Sequence, residues 1–176
     1  FPTRRSSDLA GVEVGTEKAW DLCEKYNLPR IIYVDGMDID NASFRQVVED
    51  LTEKYGKKIA PFHLPIRENE KFVGYINVIS ETGNRWQGKE VVPCDIPDYS
   101  KDNLQICKDT LLETVAETSE EFMERYFGGD TFSEAEIRAA LRTNVMDGNV
   151  VPVTMGSNIL CQGIYTLLDD IVKYFP

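Results

Sequence analysis

The sequence predicts an α/β fold in which a parallel sheet with flanking helices is interrupted by an α+β insert. Two short, continuously apolar runs, Arg30 to Val34 and Val150 to Met155, are rich in β-branched residues, as expected of strands buried on both faces of a parallel sheet. Helical spacing of apolar residues flanks each run. Between the two, the pattern changes to alternating strand-like stretches and then to helices, which marks an insertion in the α/β rhythm.

Taken in order, Ala19, Trp20, Leu22 and Cys23 recur at helical spacing and predict a helix from Thr16 to Tyr26, with Thr16 as N-cap. Asn27 and Pro29 end it, and the buried strand Arg30 to Val34 follows, closed by Asp35-Gly36. Phe44, Val47, Val48 and Leu51 predict a second amphipathic helix that stops at Gly56. Lys58 to Ile66 and Phe72 to Ile79 read as strands of a small antiparallel patch. A long helix is expected from Asp102 to Phe127, with Leu104, Cys107, Leu111, Val115, Phe122 and Tyr126 as its apolar stripe. Ser133 with Glu136 predicts a capping box on a shorter helix containing Ile137, Ala140 and Leu141. After the second buried strand, Gly156-Ser157 turns the chain into a closing helix carrying Ile164, Leu167, Leu168, Ile171 and Val172.

Composition excludes several classes of function. In 176 residues, 30 acidic side chains against 19 basic ones give a net charge of -11, with no cluster of Lys and Arg, so independent nucleic-acid binding is not expected. Cys23, Cys94, Cys107 and Cys161 lie far apart without a CxxC pair and read as reduced thiols, and a single histidine rules out a His-rich metal site. No apolar run approaches the roughly 20 residues of a membrane span, so no membrane partner is expected and the setting is read as cytoplasmic. The opening F-P-T-R-R-S-S-D-L has neither helical nor strand periodicity and resembles translated adapter read-through. Residues 1–9 are therefore expected to be non-native.

Gly83 to Lys89 fits a phosphate-loop pattern up to its last position, where Glu90 replaces the Ser or Thr that would ligate magnesium. No helix pattern follows, so the string reads as a hairpin turn. Asp35-Gly36-Met37-Asp38 stands at the C-terminal end of a buried strand, where open α/β sheets place ligand sites. A carboxylate there can accept from the two N–H groups on one edge of guanine. A solvated Asp-Gly turn fits the same pattern, and the residues alone leave both readings open. His63 reads as a packing or surface residue, the acidic run Glu117 to Glu124 as a solvated helix face, Trp20 as core and Trp86 as a hairpin residue.

Several ordered blocks carry a family resemblance. G-V-E-V-G-T-E-K-A-W, P-R-I-I-Y-V-D-G-M-D, P-F-H-L-P-I with F-V-G-Y-I-N-V-I, and V-P-V-T-M-G-S-N-I-L-C-Q-G-I with L-L-D-D-I-V-K-Y-F-P resemble elongation factor G in order and spacing, over nearly the whole chain from Ala10. The resemblance implies an incomplete P-loop GTPase domain: core at residues 10–56 and 145–176, inserted subdomain at 57–144. The guanine motif N-K-x-D falls on Asp35, Gly36, Met37 and Asp38, and the S-A-L/K loop on Ser157, Asn158 and Ile159. The parent implied is a ribosomal translocation GTPase that uses GTP/GDP and Mg, with an insert that touches the ribosomal stalk protein. No phosphate loop or switch region lies in the chain, so no catalytic residue, metal site or cofactor is expected for it alone.

Asp35 and Gly36 depart from that motif. An ionised Asp only accepts hydrogen bonds where the family's Asn donates, and Gly36 has no side chain to pack along a nucleotide. Asn158 replaces the usual alanine at a position where the family uses the backbone amide. The alternatives to a translocating GTPase are a non-hydrolysing ribosome-binding paralogue and a ribosome-protection factor, each with a degenerate guanine site.

Overall fold

A computed structural model describes residues 12–40, 42–88, 90–117 and 119–175; residues 1–9 lie outside the described residues. Helix α1 (Val14–Lys25) leads to strand β1 (Ile32–Val34), helix α2 (Phe44–Tyr55) and strand β2 (Ile59–Pro61). Four strands follow: β3 (His63–Glu68), β4 (Lys71–Asn77), β5 (Thr82–Gln87) and β6 (Glu90–Cys94). Helices α3 (Asp98–Ala116), α4 (Glu120–Phe127) and α5 (Glu134–Met146) precede strand β7 (Val151–Met155) and helix α6 (Ile164–Tyr174).

Among the described residues the strands form two sheets. One is parallel in the order β1-β7-β2, and the other is an antiparallel meander β3-β4-β5-β6. Each of the five residues of β7 is buried, as its apolar sequence requires of a central strand. Tyr33 pairs with Thr154 on one side, and Ala60 with Pro152 on the other. This is the parallel sheet with flanking helices and β-rich insert that the sequence predicts.

The single strand expected over Lys58 to Ile66 is two strands in different sheets. Phe62, with no exposed surface, is the joint between them. Its N–H donates to the Val153 carbonyl of β7 at 3.0 Å and its carbonyl accepts from the N–H of Val78, the residue that follows β4, at 3.0 Å, so one residue is bonded to both sheets' surroundings at the break. Its ring packs edge-on to Tyr174 of α6, 5.0 Å between centroids, in a cluster with Leu111, Val115, Leu141, Val145 and Val150. A second cluster joins Trp20, Phe44 and Leu51 of the flanking helices to Leu64, Ile66 and Ile76 of the antiparallel sheet.

Other local expectations were changed by capping and packing. Helix α1 begins two residues before Thr16, which is not its cap, and Glu13 stands at the N-cap without a side-chain bond. The helix expected from Asp102 to Phe127 is broken between α3 and α4, because the Ser119 hydroxyl accepts from Phe122 N–H and starts a new helix. The acidic run Glu117 to Glu124 thus spans a junction and not one helix face. Gly83 belongs to β5, where a Cβ would lie 2.5 Å from the Cys94 carbonyl oxygen, so close strand approach accounts for that glycine. Lys89, the last residue of the phosphate-loop-like string, lies outside the described residues. The Ser133–Glu136 capping box is present as expected.

Truncating the joint residue is expected to be costly. Phe62→Ala should lower stability by about 3 to 5 kcal/mol, the usual loss for a buried aromatic. Phe127→Ala, at a side chain 77% exposed, should change it by less than about 0.5 kcal/mol. Urea denaturation of the two variants measures both.

Candidate functional site

Parallel pairing brings the C-terminal ends of β1 and β7 side by side, so the segments after Val34 and after Met155 meet at one sheet edge. Two backbone hydrogen bonds and one buried side chain align them. Gly156 N–H donates to Val34 O at 3.0 Å, Met37 N–H donates to Gly156 O at 3.0 Å, and the buried Met37 side chain anchors the first segment. The second segment closes on itself, with Ser157 N–H donating to Gln162 O at 2.9 Å and Gln162 N–H to Ser157 O at 3.0 Å. Buried Ser157 also accepts from Leu160 N–H through Oγ at 3.1 Å.

Two glycines permit this closure. A Cβ on Gly156 would lie 2.2 Å from both Gln162 O and the Tyr33 hydroxyl oxygen, and Gly163 has φ +86 with a Cβ position 2.5 Å from Met155 O. Tyr33 donates to Gln162 O at 3.3 Å. Burial first, and then the neighbouring Asp35 carboxylate, push the Tyr33 phenol up to about 12, which keeps that donor protonated.

The six residues singled out from the sequence all belong to these two segments. Asp35 reaches across, its Oδ1 accepting from the backbone N–H of Asn158 at 2.8 Å. Gly36 takes a positive φ of 79° that suits its lack of a side chain. Ile159 is exposed. Asp38 Oδ1 is shielded from solvent and has no hydrogen-bond partner among the described residues. An acceptor in that condition is costly unless a donor arrives, which is a feature suited to a ligand bearing N–H groups. Among the described residues no group of three or more His, Cys, Asp or Glu is placed to hold a metal ion.

Sequence reasoning missed Arg67. From β3 its Nη2 donates to Met37 O at 3.0 Å and Ala42 O at 2.9 Å, bracing the first segment from the antiparallel sheet. No spacing rule links an arginine to carbonyls 25 and 30 residues away. Tyr33 and Gln162 were missed for the same reason, being 129 residues apart.

Residues 7–176 match the family model described as the elongation factor Tu GTP-binding domain. The chain belongs to that family, in its elongation factor G group. Elongation factor G of Neorickettsia sennetsu is 35% identical over 176 residues, a match that covers 96% of this chain and 25% of that protein. A crystal structure of a Thermus thermophilus protein superposes with a TM-score of 0.87 at 31% identity, covering 95% of this chain and 25% of that one. The chain thus spans about a quarter of the length of these relatives, and within this translational GTPase family its β1–β7 edge lies at the C-terminal ends of parallel strands. Among the described residues no helix is long and apolar enough to cross a membrane.

Removing the bridge between the two segments should expose the amide it holds. Asp35→Ala is expected to raise hydrogen exchange at Asn158 N–H by roughly tenfold, the loss of about 1.4 kcal/mol for one charge-assisted bond. Unchanged exchange would show that the two segments are held together without Asp35.

Proposed function

We propose that the β1–β7 edge is the base-recognition end of an elongation factor G-like GTPase, with Asp38 as the guanine-selecting carboxylate and Ser157, Asn158 and Ile159 as the loop beneath the base. The observation that carries this reading is Asp38 Oδ1, shielded and without a hydrogen-bond partner among the described residues, on the segment that follows β1. Guanine offers N1–H and N2–H to such an acceptor, and adenine has no matching pair. When bound, GTP with Mg supplies the phosphoryl chemistry, while Asp38 and the two loops select and orient the base. Asp35 and Gly36 stand where the family has a donor and a long side chain.

Partners and boundaries follow from the same reading. The whole protein acts in the cytoplasm on the ribosome in translocation, and the inserted subdomain meets the ribosomal stalk protein. The insert was set at 57–144 from sequence; pairing of β2 with β7 favours starting it after Pro61. Residues 1–9 are non-native in this reading.

One observation favours a second reading, a ribosome-binding protein that does not hydrolyse GTP. Asp35 already occupies the Asn158 amide, the donor the family directs at the base, and so competes with a nucleotide for it. The two readings diverge in a chimera in which residues 12–175 replace the matching segment of the Neorickettsia sennetsu elongation factor. GTPase function predicts GDP binding that Asp38→Ala weakens about tenfold or more and that Asp35→Asn with Gly36→Lys strengthens by a similar factor, each being about 1 to 3 kcal/mol of buried hydrogen bonding. Absence of nucleotide binding in the chimera and in its Asp35→Asn, Gly36→Lys variant, with ribosome binding kept, supports the second reading. The chain alone has no phosphate-binding loop, so calorimetry with GDP should give a Kd no tighter than about 1 mM. Tight magnesium-dependent binding to the chain alone would overturn the assignment of the site.

A further inference from the structure

Away from that edge, α6 docks on the antiparallel sheet through two ionisable side chains that are almost fully buried, His63 of β3 (2% exposed) and Asp170 of α6 (3% exposed). His63 Nδ1 stands 3.5 Å from Asp170 Oδ2, and the Tyr75 ring meets the imidazole edge-on at 5.0 Å between centroids. The state of the imidazole is set by Asn77, its cross-strand neighbour. Asn77 Oδ1 accepts from Ile79 N–H at 3.0 Å and Ser80 N–H at 2.9 Å, which fixes the amide. Its Nδ2 therefore faces His63 Nε2, at 3.4 Å, as a donor. A ring nitrogen facing a donor has to be an acceptor, so Nε2 carries no proton and the hydrogen of a neutral imidazole is on Nδ1, towards Asp170.

We propose that His63 and Asp170 are a proton-compensated clasp: as α6 docks, His63 becomes neutral and Asp170 takes up a proton, leaving docking of α6 insensitive to pH across the mildly acidic range. Among the described residues, the other ionisable groups around the pair are Lys173, Asp169 and Tyr174 on α6 and Tyr75 on β4. Burial, with a smaller contribution from Lys173, holds the imidazole down to about 3. Burial raises Asp170 to about 7 against the opposing charge of Lys173.

The signs oppose one another. A carboxylate raised on folding gives stability that is full below its ordinary value and is lost as pH rises through about 7. An imidazole lowered on folding gives stability that is lost as pH falls from the ordinary histidine value towards about 3. Between roughly pH 4 and 6.5, the unfolded chain carries one proton on the histidine and the folded chain one on Asp170. The counts are equal, so the pair adds no pH slope.

Single replacements unmask the two halves. Relative to the parent chain, the unfolding equilibrium constant of His63→Gln should rise about tenfold per pH unit as pH increases from 4 to 6.5, because only Asp170 remains. That of Asp170→Asn should rise about tenfold per unit as pH decreases over the same range. Urea denaturation at intervals of pH reads both. His63 is the single histidine of the chain, so nitrogen NMR reads its state directly in the unsubstituted protein, even if a variant does not fold. An unprotonated Nε2 and protonated Nδ1 at pH 5 to 6 are expected. An imidazolium at pH 6, the opposite tautomer, or variant slopes that are equal or absent would overturn the clasp.

Discussion

The structure depends on the burial of β7 between two parallel neighbours. The backbone of five consecutive buried residues can be satisfied only if both edges are bonded, and β1 and β2 supply those edges. Both partners come from sequence more than 80 residues upstream, so this one strand organises the chain at long range. Its pairing with β1 aligns the two segments of the candidate base site. Its bond to Phe62 determines where the parallel sheet gives way to the antiparallel one.

From that constraint the site inherits both its precision and its peculiarity. Glycines at 156 and 163 let the backbone turn within a space no side chain could share, while the Met37 amide and the Arg67 guanidinium hold the facing segment in place. The two carboxylates then meet opposite conditions. Asp35 is committed to an amide of the other segment, whereas Asp38 keeps a shielded oxygen that has no donor among the described residues. A scaffold of this kind costs stability at Asp38, a cost that the base proposed for the site would offset through its N–H donors.

What could be read from the sequence was local. The runs at Arg30 to Val34 and Val150 to Met155, the cap at Ser133 and the stop at Gly56 each express a preference of a few neighbouring residues, and each has its counterpart in the structure. Phe62 was not legible as a joint, because an apolar residue inside an apolar run looks the same whether the strand continues or changes sheets. The break at Ser119 was overridden in the reading by an apolar stripe that continued across it. Arg67, Tyr33 and the Asp35–Asn158 bond depend on which strands pair, and periodicity does not record pairing. All six candidate site residues do lie in the two facing segments, which the family resemblance and not the spacing brought together.

Selectivity for the base, read residue by residue, tests the central claim most directly. Amide shifts of the chain should be recorded by NMR during titration with millimolar guanosine and, separately, adenosine. The expected result is weak, saturable perturbation with guanosine at Gly36 to Asp38 and Ser157 to Ile159, and little or none with adenosine. Equal responses to both nucleosides, or perturbation confined to residues away from the β1–β7 edge, would contradict the assignment of this edge as a guanine site.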